Sequence, residues 1–445
     1  MTHENTKNTH PEANAPAQKE REAKCILCGK CASVCPVFLT TQREELTPKA
    51  KQRTIVALKE NKQKLNLTDC NKLAEMCLSC GKCAQTCPQG LNFPRQLANM
   101  RAAHSGWRQW VWKRWVNQGN VLWPMLSTLS KAAPDSKGKN EATRFVQSIQ
   151  AMQSPKDIPE YVTVARYDKE LAKEQRVLLF SGCTASRVQK NWKRKSESIL
   201  KNLGYQLLQT KGLTCCGLTL DHAGIPDAAH KSRMQNLRAW RVAERPLIVT
   251  FCATCYLGLA EYANDDSLDW AEGEKEAWKK ALRPLSTLWG DSLFTVDAPA
   301  HLLIRYHQPC HWHGKDADYA WLKEVLYEEI SAPDTASCCG MGGIAQLGNR
   351  KLTRTVANRC WENLLQKPPK KEDYIPCYSK PVGTCLCDLY DNDEEEEGQD
   401  LCGGVECSYL VITGCSGCTL QLRGTAPVRN GEKIKVGHWL DIIEP

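Results

Sequence analysis

The chain has 445 residues, 42% hydrophobic and 24% charged, and its 59 Lys+Arg against 50 Asp+Glu leave a formal net charge of +9. At roughly 150 residues per domain this predicts about three folded units with ample core, and it excludes collagen-like, coiled-coil and wholly disordered chains. The charge excess is modest and bound anionic clusters would offset it, so nucleic acid is not an expected partner.

The unusual number is 25 cysteines. The opening MTHENTKNTHPEANAPAQKERE has no apolar signal region, mean hydropathy is −0.47, and no run approaches the roughly 18 apolar residues of a membrane span. The thiols are therefore expected to be reduced, cytoplasmic and occupied by metal rather than paired in disulfides.

Residues 1–20 are polar, with two prolines and no apolar period, and predict a disordered tail. The next unit, 21–100, holds CILCGKCASVCP at 25–36 and CLSCGKCAQTCP at 77–88. Between the blocks, ELTPKAKQRTIVALKENKQKL and NKLAEM pattern as helices, with Pro48 in a first turn. Each block reads C-x2-C-x2-C-x3-C-P. In this spacing three thiolates on a tight loop cap three irons of a cubane, and the fourth, leading into a helix, reaches the other cluster. Two [4Fe-4S] clusters are expected, one on Cys25, Cys28, Cys31 and Cys87, the other on Cys77, Cys80, Cys83 and Cys35. Gly29 and Gly81 let the loop backbone approach the inorganic sulfur. The alternative is a pair of structural zinc sites, which would make the protein a non-redox scaffold, but zinc sites use C-x2-C pairs rather than this doubled pattern. With 41 residues between Cys35 and Cys77, the unit resembles the α-helical ferredoxin module of respiratory iron–sulfur subunits.

The segment 101–175 lacks cysteine and is expected to be a helical, tryptophan-rich linker. Trp107, Trp110, Val111 and Trp115 share a helical face beside Arg108, Lys113 and Arg114, a composition suited to a membrane interface. The favoured expectation is that this face packs between domains, with a peripheral place on the inner face of the cytoplasmic membrane as the alternative.

After it, 176–298 and 299–445 read as two α/β units. RVLLFSGC and LIVTFCATC are short apolar runs ending in cysteine, the pattern of buried parallel strands with a site at their carboxyl ends, and Gly204 caps the helix between them. Cys183, Cys215-Cys216-Gly217 and Cys252-x2-Cys255 are echoed by Cys310, Cys338-Cys339-Gly340 and Cys415-x2-Cys418. Vicinal cysteines do not both reach one tetrahedral metal without strain, so a bridging cluster suits them better than zinc. Gly340 and Cys415 are separated by 74 residues against 34 in the first copy. The surplus is expected as an inserted acidic loop at 367–407 carrying Cys377, Cys385, Cys387, Cys402 and Cys407. Cys70 and Cys360 have no assigned role. His307, His311 and His313 flank Cys310; they, and His438, are expected to be hydrogen-bonded structure rather than proton carriers.

These motifs closely resemble the cysteine-rich CCG domain of heterodisulfide reductase and of the iron–sulfur subunits of glycolate, lactate and glycerol-3-phosphate dehydrogenases. The resemblance implies additional iron–sulfur clusters on the ten cysteines of the two copies. In domain order the chain looks most like the iron–sulfur subunit of glycolate oxidase and its lactate-oxidising relatives. That likeness implies an electron-transfer subunit, with an FAD-containing partner that oxidises a 2-hydroxy acid and a quinone or carrier as acceptor. A disulfide-cleaving subunit and a subunit of anaerobic glycerol-3-phosphate dehydrogenase are the alternatives. No GxGxxG follows a strand, so flavin and NAD are expected on another chain.

Overall fold

The computed structural model describes residues 25–60, 67–132, 152, 158–173, 175–209, 212–299, 302–366, 408–429 and 431–445. The tail 1–20 and the insertion 367–407, with its five cysteines, lie outside the described residues, as does the side chain of Cys70.

The elements described between 25 and 132 are helices. Pro36–Thr41, Pro48–Glu60 and Phe93–Ala103 begin at or beside proline, whose fixed φ suits a first turn. Ile55, Cys83, Phe93 and Leu97 form one small core, while Cys35, Val37, Leu46 and Leu78 share another with Cys338, Ala345, Leu352 and Val356. The cysteine loops are thus packed directly onto the second α/β unit.

The helix Trp107–Ala132 bends at Gln118. Its Trp112, Trp115 and Val116 face the main core, but Trp107 and Trp110 are 66% and 60% exposed. This corrects in part the expectation that the face of Trp107, Trp110, Val111 and Trp115 packs between domains: Trp115 is packed, but the most buried positions are Gln109 and Val116, with Trp112 beside them, and Trp107 and Trp110 lie outside that stripe. Arg108 and Arg114 lie over the two exposed rings instead. The linker segment is also not helical throughout, since Val162–Arg166 is a strand.

The two α/β units have one topology. In the first, parallel strands lie in the order Gln206–Leu207, Arg176–Leu179, Leu247–Thr250, Leu282–Pro284; in the second, Ile330–Ser331, Leu302–His307, Ser408–Thr413, Lys435–His438. Both are order 2-1-3-4 in their own chain numbering. Connections leave the two central strands in opposite directions, and the crevice at their carboxyl ends is where open α/β sheets place a site. Cys183, Cys252, Cys310 and Cys415 follow these central strands.

The units are crossed over each other. The helix Lys190–Asn202 of the first packs on the turn Trp439–Ile442 of the second, and the helix Ala317–Leu326 of the second packs on Leu285–Thr287 of the first. Trp192 donates to Asp441 Oδ1 at 2.6 Å, and the buried Lys195 ammonium donates to the carbonyls of Leu440, Asp441 and Ile443 at 2.9, 3.1 and 2.7 Å. Val162–Arg166 then pairs with a strand from each unit, Leu293–Val296 and Ile443–Glu444.

Within the first unit, Glu274 (3% exposed) joins two helices by accepting from Arg241 Nε at 3.0 Å and Arg245 Nη2 at 2.8 Å. The Arg241 bond foremost holds its carboxyl down from 4.5 to about 2. A depressed folded value contributes stability that is present above 4.5 and lost as pH falls toward 2. Glu274→Gln is expected to cost about 2 kcal/mol at neutral pH, discounted because Arg245 is half exposed. Chemical denaturation should show that difference shrinking below pH 4.5, and a pH-independent difference would refute the account.

Candidate functional site

The first two thiol sets surround two cavities. One is lined by Cys25, Cys28, Cys31, Cys83 and Cys87. The other is lined by Cys35, Cys77, Cys80 and Cys83. Each loop makes its turn at a glycine, and a short helix, Lys30–Ser33 or Lys82–Gln85, follows. The first cavity opens at the surface, where Ile26, Leu27 and Cys28 are exposed; the second lies where Cys35, Val37 and Leu78 pack against the second α/β unit.

Burial opposes ionisation of these thiols. It pushes Cys83 up to about 12, with Cys77 and Cys35 adding to the effect, and raises Cys31 and Cys35 as well. Metal cations relieve that opposition, so the donor sets fit a thiolate-ligated cluster. Three cations overlooked in the cysteine pattern stand around the inner cavity. Lys51 is buried and donates to Met76 O at 2.5 Å. Arg101, also buried, donates to Ala74 O and Cys77 O from within and to His222 O of the first α/β unit. Lys82 donates to Ala336 O of the second unit at 2.7 Å. Its counterpart Lys30 is exposed, so the shared C-G-K-C sequence gives no hint of which lysine docks.

The other ten thiols form one connected row. Hydrogen-bonded neighbours run Cys183, Cys215, Cys216, Cys255, Cys252, Cys415, Cys418, Cys339, Cys338, Cys310. Cys339 and Cys418 have sulfurs 3.2 Å apart. Cys215 and Cys255 hold Cys216 down to about 5, Cys255 and Cys415 lower Cys252, and Cys310 and Cys339 lower Cys338. Such alternation is what a crowded thiol row adopts when only some members ionise.

The motif glycines now have a reason. Gly217 (φ 87°) and Gly340 (φ 80°) turn the chain so that their own N–H reaches the sulfur two residues back, Cys215 or Cys338, at 3.4 Å in each case. A Cβ would overlap the carbonyl of Thr353 in the second unit and press on that of Ala229, 3.2 Å away, in the first. The positive φ disfavours other residues at both positions, and the close approach adds to it at Gly340.

The units meet at the middle of the row. Ala253 N donates to Gly414 O at 2.9 Å, Ser416 N to Cys252 Sγ at 3.4 Å, and Thr254 Oγ1 lies 3.1 Å from Cys415 Sγ. At the far end, Cys80 of the inner cavity is close enough to Cys338 and Cys310 for their charges to interact.

Residues 22–91 match the 4Fe-4S dicluster domain family, and residues 177–260 and 304–376 match the cysteine-rich CCG domain family. The chain is an iron–sulfur protein with a dicluster domain and two CCG domains. The second CCG match stops inside the insertion. The strand Ser408–Thr413, in register with the whole of Leu302–His307, resumes the domain beyond it and delivers Cys415 and Cys418.

The chain is similar to the glycolate oxidase iron-sulfur subunit of Escherichia coli, 21% identical over 361 residues that cover 75% of this chain and 82% of the relative. Lactate utilization protein A of Bacillus cereus is 23% identical over 277 residues, covering 60% and 98%. An uncharacterized iron-sulfur protein of Methanocaldococcus jannaschii is 22% identical over 336 residues, 75% of this chain. The chain spans 61% and 51% of the length of the two archaeal relatives it matches. No helix among the described residues is long and apolar enough to cross a membrane.

The histidines are built into the CCG domains. His307 contacts Thr413 Oγ1 and Ser337 O, His311 contacts Thr254 Oγ1 at 2.8 Å, and His438 contacts Phe251 O at 3.0 Å. Burial holds all three near 4, neutral at physiological pH. His313 reaches toward Gly81 of the dicluster domain. Cys360, buried on the helix Arg350–Leu364 and pushed well up by burial, packs in the core.

Proposed function

We propose that this protein is the electron-transfer subunit of a flavin-dependent 2-hydroxy acid dehydrogenase acting on glycolate or D-lactate. In this reading Cys25, Cys28, Cys31 and Cys87 hold one [4Fe-4S] cluster, Cys77, Cys80, Cys83 and Cys35 a second, in an α-helical form of the dicluster module. Cys183, Cys215, Cys216, Cys252 and Cys255, and then Cys310, Cys338, Cys339, Cys415 and Cys418, serve a centre in each CCG domain. When bound, the clusters take up and release single electrons.

The observation that carries the reading is the continuous thiol row across both CCG domains, whose Cys338 and Cys310 end is within charge-interaction range of Cys80. It supports an order of sites from the exposed first loop through the second loop to the second CCG domain and then the first. Lys51, Lys82 and Arg101 offset the negative charge of the second-loop centre. An FAD-containing partner would supply the electrons and a quinone or carrier receive them.

The test is anaerobic copurification with a flavoprotein, then addition of D-lactate or glycolate. Bleaching of the cluster absorbance in the complex, and none with this chain alone, is the expected result. A colourless, zinc-only protein, or a complex reduced by neither acid, overturns the reading.

A further inference from the structure

The two CCG domains share fold and cysteine pattern but differ at one buried position. Three residues before the first cysteine of the motif, the first domain has Phe180, 1% exposed, and the second has His307, 2% exposed. Both continue the strand that leads to that cysteine: Phe180 N donates to Val249 O of the neighbouring strand at 2.7 Å, and His307 is in register with Thr413. The fold therefore accepts a hydrocarbon ring here, and packing alone does not call for an imidazole whose burial costs hydration.

His307 is aimed at the thiols. One of its ring nitrogens and the sulfurs of Cys339 and Cys418 all lie within 4.8 Å of one another, and all three residues are buried. Ser337 O, 3.2 Å from Nε2, only accepts, so the ring's N–H is at Nε2 and the Nδ1 lone pair accepts from Thr413 Oγ1 at 3.2 Å, a hydroxyl that would turn away when Nδ1 binds a metal. Metal-ligating histidines are held in this way, one nitrogen donating to a backbone carbonyl so that ring orientation and tautomer are fixed for the other. Here the fixing carbonyl belongs to the residue just before Cys338.

We propose that His307 is a nitrogen ligand of the metal centre in the second CCG domain, which makes that centre chemically distinct from the all-thiolate centre of the first. The proposal rests on the reading of the CCG cysteines as cluster ligands. A neutral imidazole donor raises a cluster's reduction potential relative to thiolate alone. The second centre, next to Cys80, then holds an electron more readily than the first.

The experiment uses the full chain, purified anaerobically after growth on 15N-histidine, and pulsed EPR of the CCG centres in their paramagnetic state. A nitrogen coupling that changes with the isotope in the wild type, and is absent from the CCG-centre signal that His307→Phe retains, is expected. In a redox titration the same variant should shift one CCG centre to lower potential. A coupling that persists in His307→Phe, or a wild-type protein with full iron content and no isotope-sensitive coupling, overturns the proposal. Iron that stops at the two ferredoxin-type clusters overturns the cluster reading of the CCG cysteines, and the proposal with it.

Discussion

A Cys80→Ala protein is expected to retain reducible iron at its outer ferredoxin-type centre and in the CCG domains while losing rapid exchange between them. Cys80 both lines the inner cavity and is within charge-interaction range of Cys310 and Cys338, so its loss removes a donor at the point where the two sets of sites approach each other. Removing even an outer-shell partner commonly costs a factor of about 10–100 in metal affinity, and a direct thiolate should cost more. Rapid-freeze EPR after mixing with a reductant should show the CCG signals lagging the outer-centre signal by a wide margin, whereas wild-type kinetics would refute the order of sites. Lys82→Met is the milder form of the same cut. It deletes a charged donor to Ala336 O worth about 1.5–3 kcal/mol at the docking surface, and Lys30→Met, at an exposed lysine, should change nothing.

Gly340→Ala is expected to damage the second CCG domain more than Gly217→Ala damages the first. Both introduce a side chain at positive φ, but the added methyl at 340 meets the Thr353 carbonyl well inside contact distance, whereas at 217 the nearest atom, Ala229 O, is 3.2 Å away. Helix backbone does not yield as a side chain end would. Strain and overpacking together should cost about 2–4 kcal/mol at 340 and about 1–2 kcal/mol at 217. At 340 the displaced N–H also leaves the Cys338 sulfur, so metal content should fall with stability. Melting curves and iron analysis of the two variants check the ranking; equal losses would mean that φ alone, and not the carbonyl contact, decides.

Much of this was legible in the residues because cysteine spacing is a geometric code. The doubled C-x2-C-x2-C-x3-C-P pattern pairs Cys87 with the first loop and Cys35 with the second; Cys87 lines the cavity at the first loop and Cys35 the one at the second, while Cys83 lines both. The echo of Cys-Cys-Gly across 123 residues, from Cys215 to Cys338, announced two like units, and their strand orders coincide. What the residues did not reveal depends on docking. Nothing local separates Lys82 from Lys30, because what distinguishes them is the carbonyl of Ala336 in the second α/β unit, which Lys82 reaches while Lys30 is exposed. Arg101 lies on an ordinary helix and acquires its place when Ser79 and His222 close around it. The tryptophan face was misjudged because Trp107, Trp110, Trp112 and Trp115 crowd more than one side of the helix, so aromatic content alone does not define the buried stripe. His307 looked like one of several histidines in YHQPCHWH until the sheet register set it opposite Thr413 and Phe180 appeared as its counterpart.

The three-stranded sheet that joins Val162–Arg166 to Leu293–Val296 and Ile443–Glu444 has a consequence for how the protein comes into being. Thr163 and Glu444, whose side chains also bond at 3.0 Å, are 281 residues apart in the chain. On the ribosome the first CCG domain therefore waits, with Trp192 lacking Asp441 and Lys195 lacking the carbonyls of Leu440, Asp441 and Ile443, until the residues around 440 have been made. Contacts this distant in sequence form late. The Cys252–Cys415 junction belongs to the same closure, so neither CCG centre has its finished walls before synthesis of both domains is complete. In the proposed reading, cofactor loading at these two sites is expected to follow synthesis and to act on the pair as one object, whereas the dicluster loops, which precede both domains in the chain, can be filled while the rest is still emerging.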